Sequence, residues 1–185
     1  MSEYTIPGPS EVELLRKRYN RPYSRGHRAM YEAVAALMQE KFGYILEIGA
    51  GIGYGAQILA EKNCFSEITM VEPSGDCYDY ILKNVPKFSM NLIPTTFQEA
   101  SLPGEYDVST CIEVIEHIPR EQWHDFLTKI HMHTIKTLFL STPNIETSPH
   151  GVATPKEVCA ALEKAGFEYV SYFEWQWTTF FMATK

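Results

Sequence analysis

The sequence has only four cysteines, at 64, 77, 111 and 159, and no two of them are spaced Cys-x-x-Cys. Without that spacing there is no redox pair and no cysteine zinc site to read, which leaves reduced structural thiols in a cytosolic protein. Cys111 sits in a run that reads as a buried strand. No apolar run approaches the ~20 residues needed to cross a bilayer, so no membrane helix is expected. The start, Met1-Ser2-Glu3-Tyr4-Thr5, lacks a basic segment followed by an apolar one, so no signal peptide is expected either. A cytoplasmic protein with no membrane partner is the expectation. There is no internal repeat and no low-complexity stretch. With 185 residues, 45% of them hydrophobic and 13% aromatic, the chain is long and apolar enough for one domain with a short terminal extension.

Positive charge is scarce except at one end. The net charge is −7. Residues 1–30 hold six cations (Arg16, Lys17, Arg18, Arg21, Arg25, Arg28) against three acids, while the remainder holds ten against twenty. An acidic body is a poor general nucleic-acid binder. The basic arm, 1–30, reads either as a solvated helix face or as a lid over the domain at 31–185, with Tyr19, Tyr23, Arg25 and Arg28 as substrate contacts.

Ser10 and Glu13 make a capping box for a helix over 11–19 carrying Val12, Leu15 and Tyr19 on one face. Asn20-Arg21-Pro22 breaks it. A second helix, 27–41, carries Met30, Val34, Leu37 and Met38 at helical spacing and stops at Gly43. Strand and helix then alternate. Strands are expected at 44–48, 67–71, 88–93, 106–114 and 137–141. Helices are expected through Ile58 and Leu59, over 77–83, and near 120–131 with Trp123, Phe126, Leu127 and Ile130 inward. Thr154-Pro155-Lys156-Glu157 combines an N-cap, a first-turn proline and a capping-box glutamate, opening a helix that buries Val158, Ala161, Leu162 and Ala165 and ends at Gly166. Two last strands, 168–175 and 178–184, leave no room for a crossover helix and must pair antiparallel. The fold class is therefore α/β: a Rossmann-like, doubly wound, seven-stranded sheet, mostly parallel, with an antiparallel C-terminal hairpin and N-terminal helices.

The first of these strands runs into Glu47-Ile48-Gly49-Ala50-Gly51-Ile52-Gly53. Glycine permits a sharp turn and a close backbone approach to a ligand, and the helix behind it aims free N–H groups at the same place. That implies a nucleotide-like ligand at the carboxyl edge of the sheet. Gly-x-Gly-x-x-Gly fails at Tyr54, but Gly51, Gly53 and Ala56 match the Gly-x-Gly-x-x-Ala variant, so a dinucleotide stays open. Glu72, closing the second strand, suits ribose hydroxyls on either reading. After the fourth strand stand Glu113, Glu116 and His117. Two carboxylates and an imidazole can converge there on a divalent ion. Alternatively, Glu113 lines a cofactor pocket and His117 caps the next element. His131 and His133, at a helix end near Lys129, read as surface residues whose imidazolium suits the dipole. His124 belongs to a polar face, and His27 begins a helix.

Three features favour S-adenosylmethionine over a dinucleotide: Glu47 two residues before Gly49, the cluster after strand four, and the terminal hairpin. Leu46–Gly53, Val71-Glu72-Pro73-Ser74 and Glu113-Val114-Ile115-Glu116-His117-Ile118 together resemble the seven-strand class I methyltransferase family over residues ~27–185. The resemblance implies that Gly49, Ala50 and Gly51, flanked by Glu47 and Gly53, pass under the methionine part of the cofactor. Glu72 and Pro73 would serve the ribose, and Glu113 would line the pocket. Thr96, Phe97 and Gln98 would border the adenine, where many members carry an Asp that this chain lacks. The strand-four segment is similar to the ubiquinone-pathway O-methyltransferases, which bind a divalent ion there. It is also similar to the small-RNA 3′-end 2′-O-methyltransferases, which would add His150 to Glu113, Glu116 and His117 as a fourth ligand. The latter carry a longer histidine-rich insert that is missing here.

No Asn-Pro-Pro-Tyr motif and no Pro-Cys nucleophile occurs, which disfavours methylation of adenine amino groups and of cytosine C5. The expected activity is O-methylation of a small molecule, metal-assisted, with Glu113, Glu116 and His117 at the chemistry. The alternatives are metal-dependent 2′-O-methylation of an RNA 3′ end, and a non-catalytic cofactor-binding partner subunit. Tyr172-Phe173-Glu174-Trp175-Gln176-Trp177 reads as a covered strand, with a dimer surface as the alternative.

Overall fold

The structure, a computed structural model, describes residues 9–19, 24–38, 42–63, 65–85, 88–145 and 151–185. In chain order the elements are α1 (Pro9–Tyr19), α2 (Ser24–Leu37), β1 (Phe42–Ile48), α3 (Tyr54–Glu61), β2 (Phe65–Val71), α4 (Gly75–Asn84), β3 (Met90–Ile93) and β4 (Tyr106–Ile112). Two 3₁₀ turns follow, Ile115–His117 and Arg120–Gln122. Then come α5 (Trp123–His133), β5 (Thr134–Pro143), α6 (Pro155–Lys164), β6 (Tyr169–Trp175) and β7 (Thr178–Thr184). The strands form one seven-stranded sheet in the order β3-β2-β1-β4-β5-β7-β6. β1 with β4, β2 with β3 and β4 with β5 run parallel, and β7 is antiparallel to both β5 and β6. This is the doubly wound, mostly parallel sheet with a closing hairpin that the strand–helix alternation predicts.

The chain divides into two compact units. Unit one comprises Met1–Gly43 and Ala50–Ala100. Here α1 packs on α4 and on α2, and α2 packs on α3. The inward face of α2 is His27, Met30, Tyr31 and Val34, Met38 just past its end is also buried, and Leu37 is exposed. The expected helix started at His27, but the observed one starts at Ser24. His27 is therefore an interior helical residue rather than a helix-opening one. α1 likewise begins at Pro9 rather than after Ser10, because proline is well placed in a first helical turn. Leu15 of α1 comes within 3.6 Å of the point where a Cβ on Gly51 would stand.

Unit two comprises Tyr44–Gly49 and Ser101–Lys185. Ile45, Leu46, Val108, Cys111, Leu138 and Leu140 are wholly buried, each large aliphatic contributing roughly 1.5–3 kcal/mol by leaving water. No disulfide joins the described cysteines. Burial, with the Glu116 carboxylate adding to it, pushes the Cys111 thiol up and keeps it protonated. The capping box at the start of α6 forms as read. Thr154 Oγ1 accepts from the Glu157 N–H at 3.3 Å, and the Glu157 carboxylate accepts from the Thr154 N–H at 2.8 Å.

His131 departs from expectation. Its ring is half-buried, set edge-on to Phe167 at 5.0 Å between centroids. A Cβ on Gly166 would come within 3.0 Å of it. Burial, and then the Lys185 ammonium, hold its pKa below the ordinary 6.5, while a backbone hydrogen bond with Gly166 acts the other way. The folded chain therefore favours neutral imidazole, not the dipole-stabilised imidazolium. Just below the unfolded value the unfolded chain binds more protons than the folded one, so stability falls as pH drops through that range. Urea midpoints measured from about pH 7.5 to about pH 5 should decline, and His131→Gln should flatten the decline.

Candidate functional site

Three glycines at the end of β1 adopt left-handed backbone: Gly49 at φ 70°, Gly51 at φ 54° and Gly53 at φ 73°. The boundary between the units falls inside this turn, after Gly49. A Cβ on Gly49 would overlap Cγ2 of Val114, and one on Gly53 would press Val85 and Ile81 at 3.0 and 3.2 Å. Packing by the protein itself thus demands the first and third glycines. The middle one is less confined, with only Leu15 nearby. Gly53 offers α3 no side-chain cap, and the N-terminus of a helix is where an anionic or hydroxyl-bearing ligand is favoured.

In unit one the partner of this turn is Glu72, buried just past β2. One carboxylate oxygen accepts from the Gly51 N–H at 2.6 Å and the other from the Ser74 N–H at 2.9 Å. The Ala50 N–H donates to Val71 carbonyl oxygen at 3.3 Å. Glu72 therefore clasps the glycine turn to the start of α4, whose N-cap, Ser74, accepts from the Cys77 N–H. Half-buried Pro73 lies between them. An ionised carboxylate has about four acceptor positions, and ribose hydroxyls are the donors expected at the end of a second strand. The residues present thus fit an adenosine-bearing ligand.

The loop after β3 places the adenine candidates differently from one another. Phe97 is buried, Thr96 half-buried and Gln98 exposed. The hydroxyls of Thr95 and Thr96 both donate to Glu99, at 3.1 and 3.0 Å. Glu99 is the acid in this loop that the sequence reading passed over. The signal was present, since Thr95, Thr96 and Glu99 have the spacing of a local cap.

In unit two, Glu47 is buried at the end of β1, and β4 ends abruptly at Glu113, which holds φ 57°. A non-glycine residue there stores strain of order 1–3 kcal/mol. Ser141, next in the sheet, holds it. Its hydroxyl donates to the Glu113 carboxylate at 2.9 Å, and the Glu113 N–H donates back to Ser141 Oγ at 3.1 Å. Local pattern does not reveal this pairing, because it depends on the β4–β5 register, in which Ile112 stands beside Ser141. The 3₁₀ turn that follows buries Glu116 and leaves His117 half exposed, with Nε2 4.0 Å from Oε1 of Glu116.

Glu113, Glu116 and His117 do not form the expected metal group. Among the described residues no three His, Cys, Asp or Glu side chains gather closely enough to hold an ion. The left-handed turn engages Glu113 with Ser141, and the 3₁₀ turn sends Glu116 inward and His117 outward. His150, the expected fourth ligand, lies outside the described residues, as do Tyr23 and the side chains of Tyr19 and Arg25. Arg28 is tied to Glu32 at 3.0 Å and to Glu61 at 3.1 Å.

The strand order, with a glycine turn after β1 and an acid after β2, defines the class I methyltransferase fold. Solved structures share it. Magnesium protoporphyrin IX methyltransferase from Synechocystis PCC 6803, with bound SAH, superposes with a TM-score of 0.76 at 14% identity, covering 96% of this chain and 94% of that one. The N-methyltransferase NodS from Bradyrhizobium japonicum WM9, in complex with S-adenosyl-L-homocysteine, gives 0.74 at 14% over 96% and 98%. A SAM-dependent methyltransferase from Leishmania major gives 0.74 at 12% over 98% and 79%. No curated protein matches the sequence. The model of the methyltransferase-domain family matches residues 19–151. The chain belongs to that family, and its activity is S-adenosylmethionine-dependent methyl transfer.

The Gly49–Val114 contact gives a direct test. Gly49→Ala should lower unfolding stability by about 2–4 kcal/mol, from left-handed strain plus overlap. Gly51→Ala, which meets only the strain, should cost about 1–2 kcal/mol. Val114→Ala in the Gly49→Ala background should recover part of the loss in denaturant titrations.

Proposed function

We propose that this protein methylates an oxygen of a small molecule, with S-adenosylmethionine as donor and the end of β4 as the acceptor side. The observation that carries the donor half is the Glu72 clasp. A buried carboxylate fastened to the Gly51 and Ser74 N–H groups is already oriented before a ribose arrives, so little ordering is left for binding to supply. On this reading Glu47, Gly49, Ala50, Gly51 and Gly53 border the methionine part. Glu72 and Pro73 take the ribose, and Thr96, Phe97 and Gln98 border the adenine. When bound, the cofactor supplies an electrophilic methyl group on a sulfonium, so the protein's task is alignment and removal of the acceptor's proton.

The proton falls to unit two. His117 presents its imidazole to solvent with the buried Glu116 carboxylate behind it. That is the arrangement of a general base whose imidazolium a carboxylate stabilises. Glu113, locked by Ser141, offers a fixed acceptor that orients a hydroxyl. A small acceptor suits the described arm better than an RNA end. Among the described cations of the arm, Lys17 pairs with Glu13, Arg28 with Glu32 and Glu61, and Arg16 lies over the Tyr80 ring, so these three do not line up for phosphates. One fold neighbour is by name a magnesium protoporphyrin IX methyltransferase, in keeping with a small-molecule acceptor, and another is by name an N-methyltransferase, so the neighbours do not fix the atom.

The test is a labelled-methyl screen over phenols, carboxylates and short RNAs. With the best acceptor, His117→Ala should cost about 10²-fold or more in rate. EDTA should change nothing. Full activity in both His117→Ala and Glu113→Ala would reduce this cluster to a structural role, and turnover confined to RNA would overturn the small-molecule reading.

A further inference from the structure

β6 is the last strand of the sheet, and it is not the covered strand its composition suggests. Tyr169 is 71% exposed, Tyr172 50%, Phe173 55% and Trp175 39%, and Trp177 in the following turn is 55% exposed. Alternation and register put Tyr169, Ser171, Phe173 and Trp175 on one face of the sheet, next to Met182 and Phe180 of β7. Phe173 stacks on Phe180 at 4.9 Å, nearly parallel. α6 packs against β6 and β7, yet these rings remain in solvent.

Edge strands are normally protected by lysine, proline, a bulge or short length. The opposite edge, β3, is four residues long. β6 has seven, with no proline and no lysine, and Glu174 is its only charge. An aromatic edge of this length with a single charge pairs with another strand when it can.

We propose that β6 pairs antiparallel with β6 of a second copy of this chain, joining two sheets across a two-fold axis at Tyr172. That register uses all seven residues of the strand. It sets Tyr169 opposite Trp175, Ser171 opposite Phe173 and Val170 opposite Glu174, so no two carboxylates meet. Such an isologous contact is self-complementary by construction. Main-chain hydrogen bonds along the seven residues carry the pairing, and cross-strand contacts such as Tyr169 with Trp175 cover part of the exposed aromatic surface. Tyr, Trp, Phe and Met are also the types enriched in interface cores. Each copy carries a net charge of −7, and the contact is apolar, so salt should tighten the dimer by screening repulsion between the copies.

Sedimentation of the full chain from about 1 to about 100 µM, a range covering weak interfaces, tests the proposal. The wild type should form dimers, more completely at higher salt. Tyr169→Lys with Trp177→Lys should give monomers with an unchanged melting curve and unchanged S-adenosylhomocysteine binding, since neither change touches the core. Phe173→Lys should do the same, although its loss from the Phe180 stack can weaken the fold, which is why the first variant is the primary test. Tyr172→Cys should form a disulfide-linked dimer under mild oxidation, absent from the wild type, because directly opposed strand residues lie within disulfide reach. A wild type that stays monomeric throughout overturns the proposal, and so does a dimer that survives Tyr169→Lys with Trp177→Lys. Binding of monomers to phosphatidylcholine vesicles through the same residues would also overturn it, by giving the patch to a membrane.

Discussion

The site depends on how two parallel strands end. β1 must leave the sheet with Gly49 in left-handed conformation because Val114 fills the space a side chain would need. β4 must leave it with Glu113 also left-handed, held by a reciprocal pair of hydrogen bonds to Ser141. Glycine takes the first ending without strain, whereas the second is unfavourable locally and persists because Ser141 holds it where the fold needs a carboxylate in one place. The direction of the glycine turn, the position of the 3₁₀ turn after Val114 and the separation of Glu116 from His117 follow from these two departures.

Much of this was legible from residues alone. Apolar runs alternating with helical stripes predicted the seven strands, and the short gap between 175 and 178 required the antiparallel end. Glu72 could be placed from its position one residue past β2. What escaped was set by tertiary register rather than local pattern. Ser141 acquires its part only because β4 and β5 align Ile112 with it. The Glu113–Glu116–His117 spacing looked like a metal set because sequence spacing does not reveal that Glu113 is left-handed and held by Ser141, apart from the Glu116–His117 pair of the 3₁₀ turn. The aromatic strand read as covered because composition cannot tell an edge strand from a central one; its place in the sheet order does. His131 was read from the helix dipole, and close packing on Gly166 and Phe167 outweighed that term.

The charge asymmetry has a similar resolution. A +3 arm on an acidic chain invites an anionic partner, but the cations described in it are engaged by Glu13, Glu32, Glu61 and the Tyr80 ring. Exposed pairs of this kind contribute little stability, typically below about 1 kcal/mol. Two of them, Lys17–Glu13 and Arg28–Glu32, lie within single helices, while Arg28–Glu61 and Arg16 over Tyr80 bridge helices of unit one. Leu15 of α1, close to Gly51, ties the N-terminal segment to the glycine turn by packing rather than by charge.

The central claim is that the turn from Glu47 to Gly53, clasped by Glu72, receives S-adenosylmethionine and not a dinucleotide. Titration calorimetry with S-adenosylhomocysteine and with NAD tests it directly, using wild type and Glu72→Gln. The account predicts one-to-one binding of the homocysteine ligand, weakened about 10-fold or more by Glu72→Gln through loss of a charge-assisted hydrogen bond, and no measurable heat with NAD. Binding of NAD without binding of S-adenosylhomocysteine would contradict it.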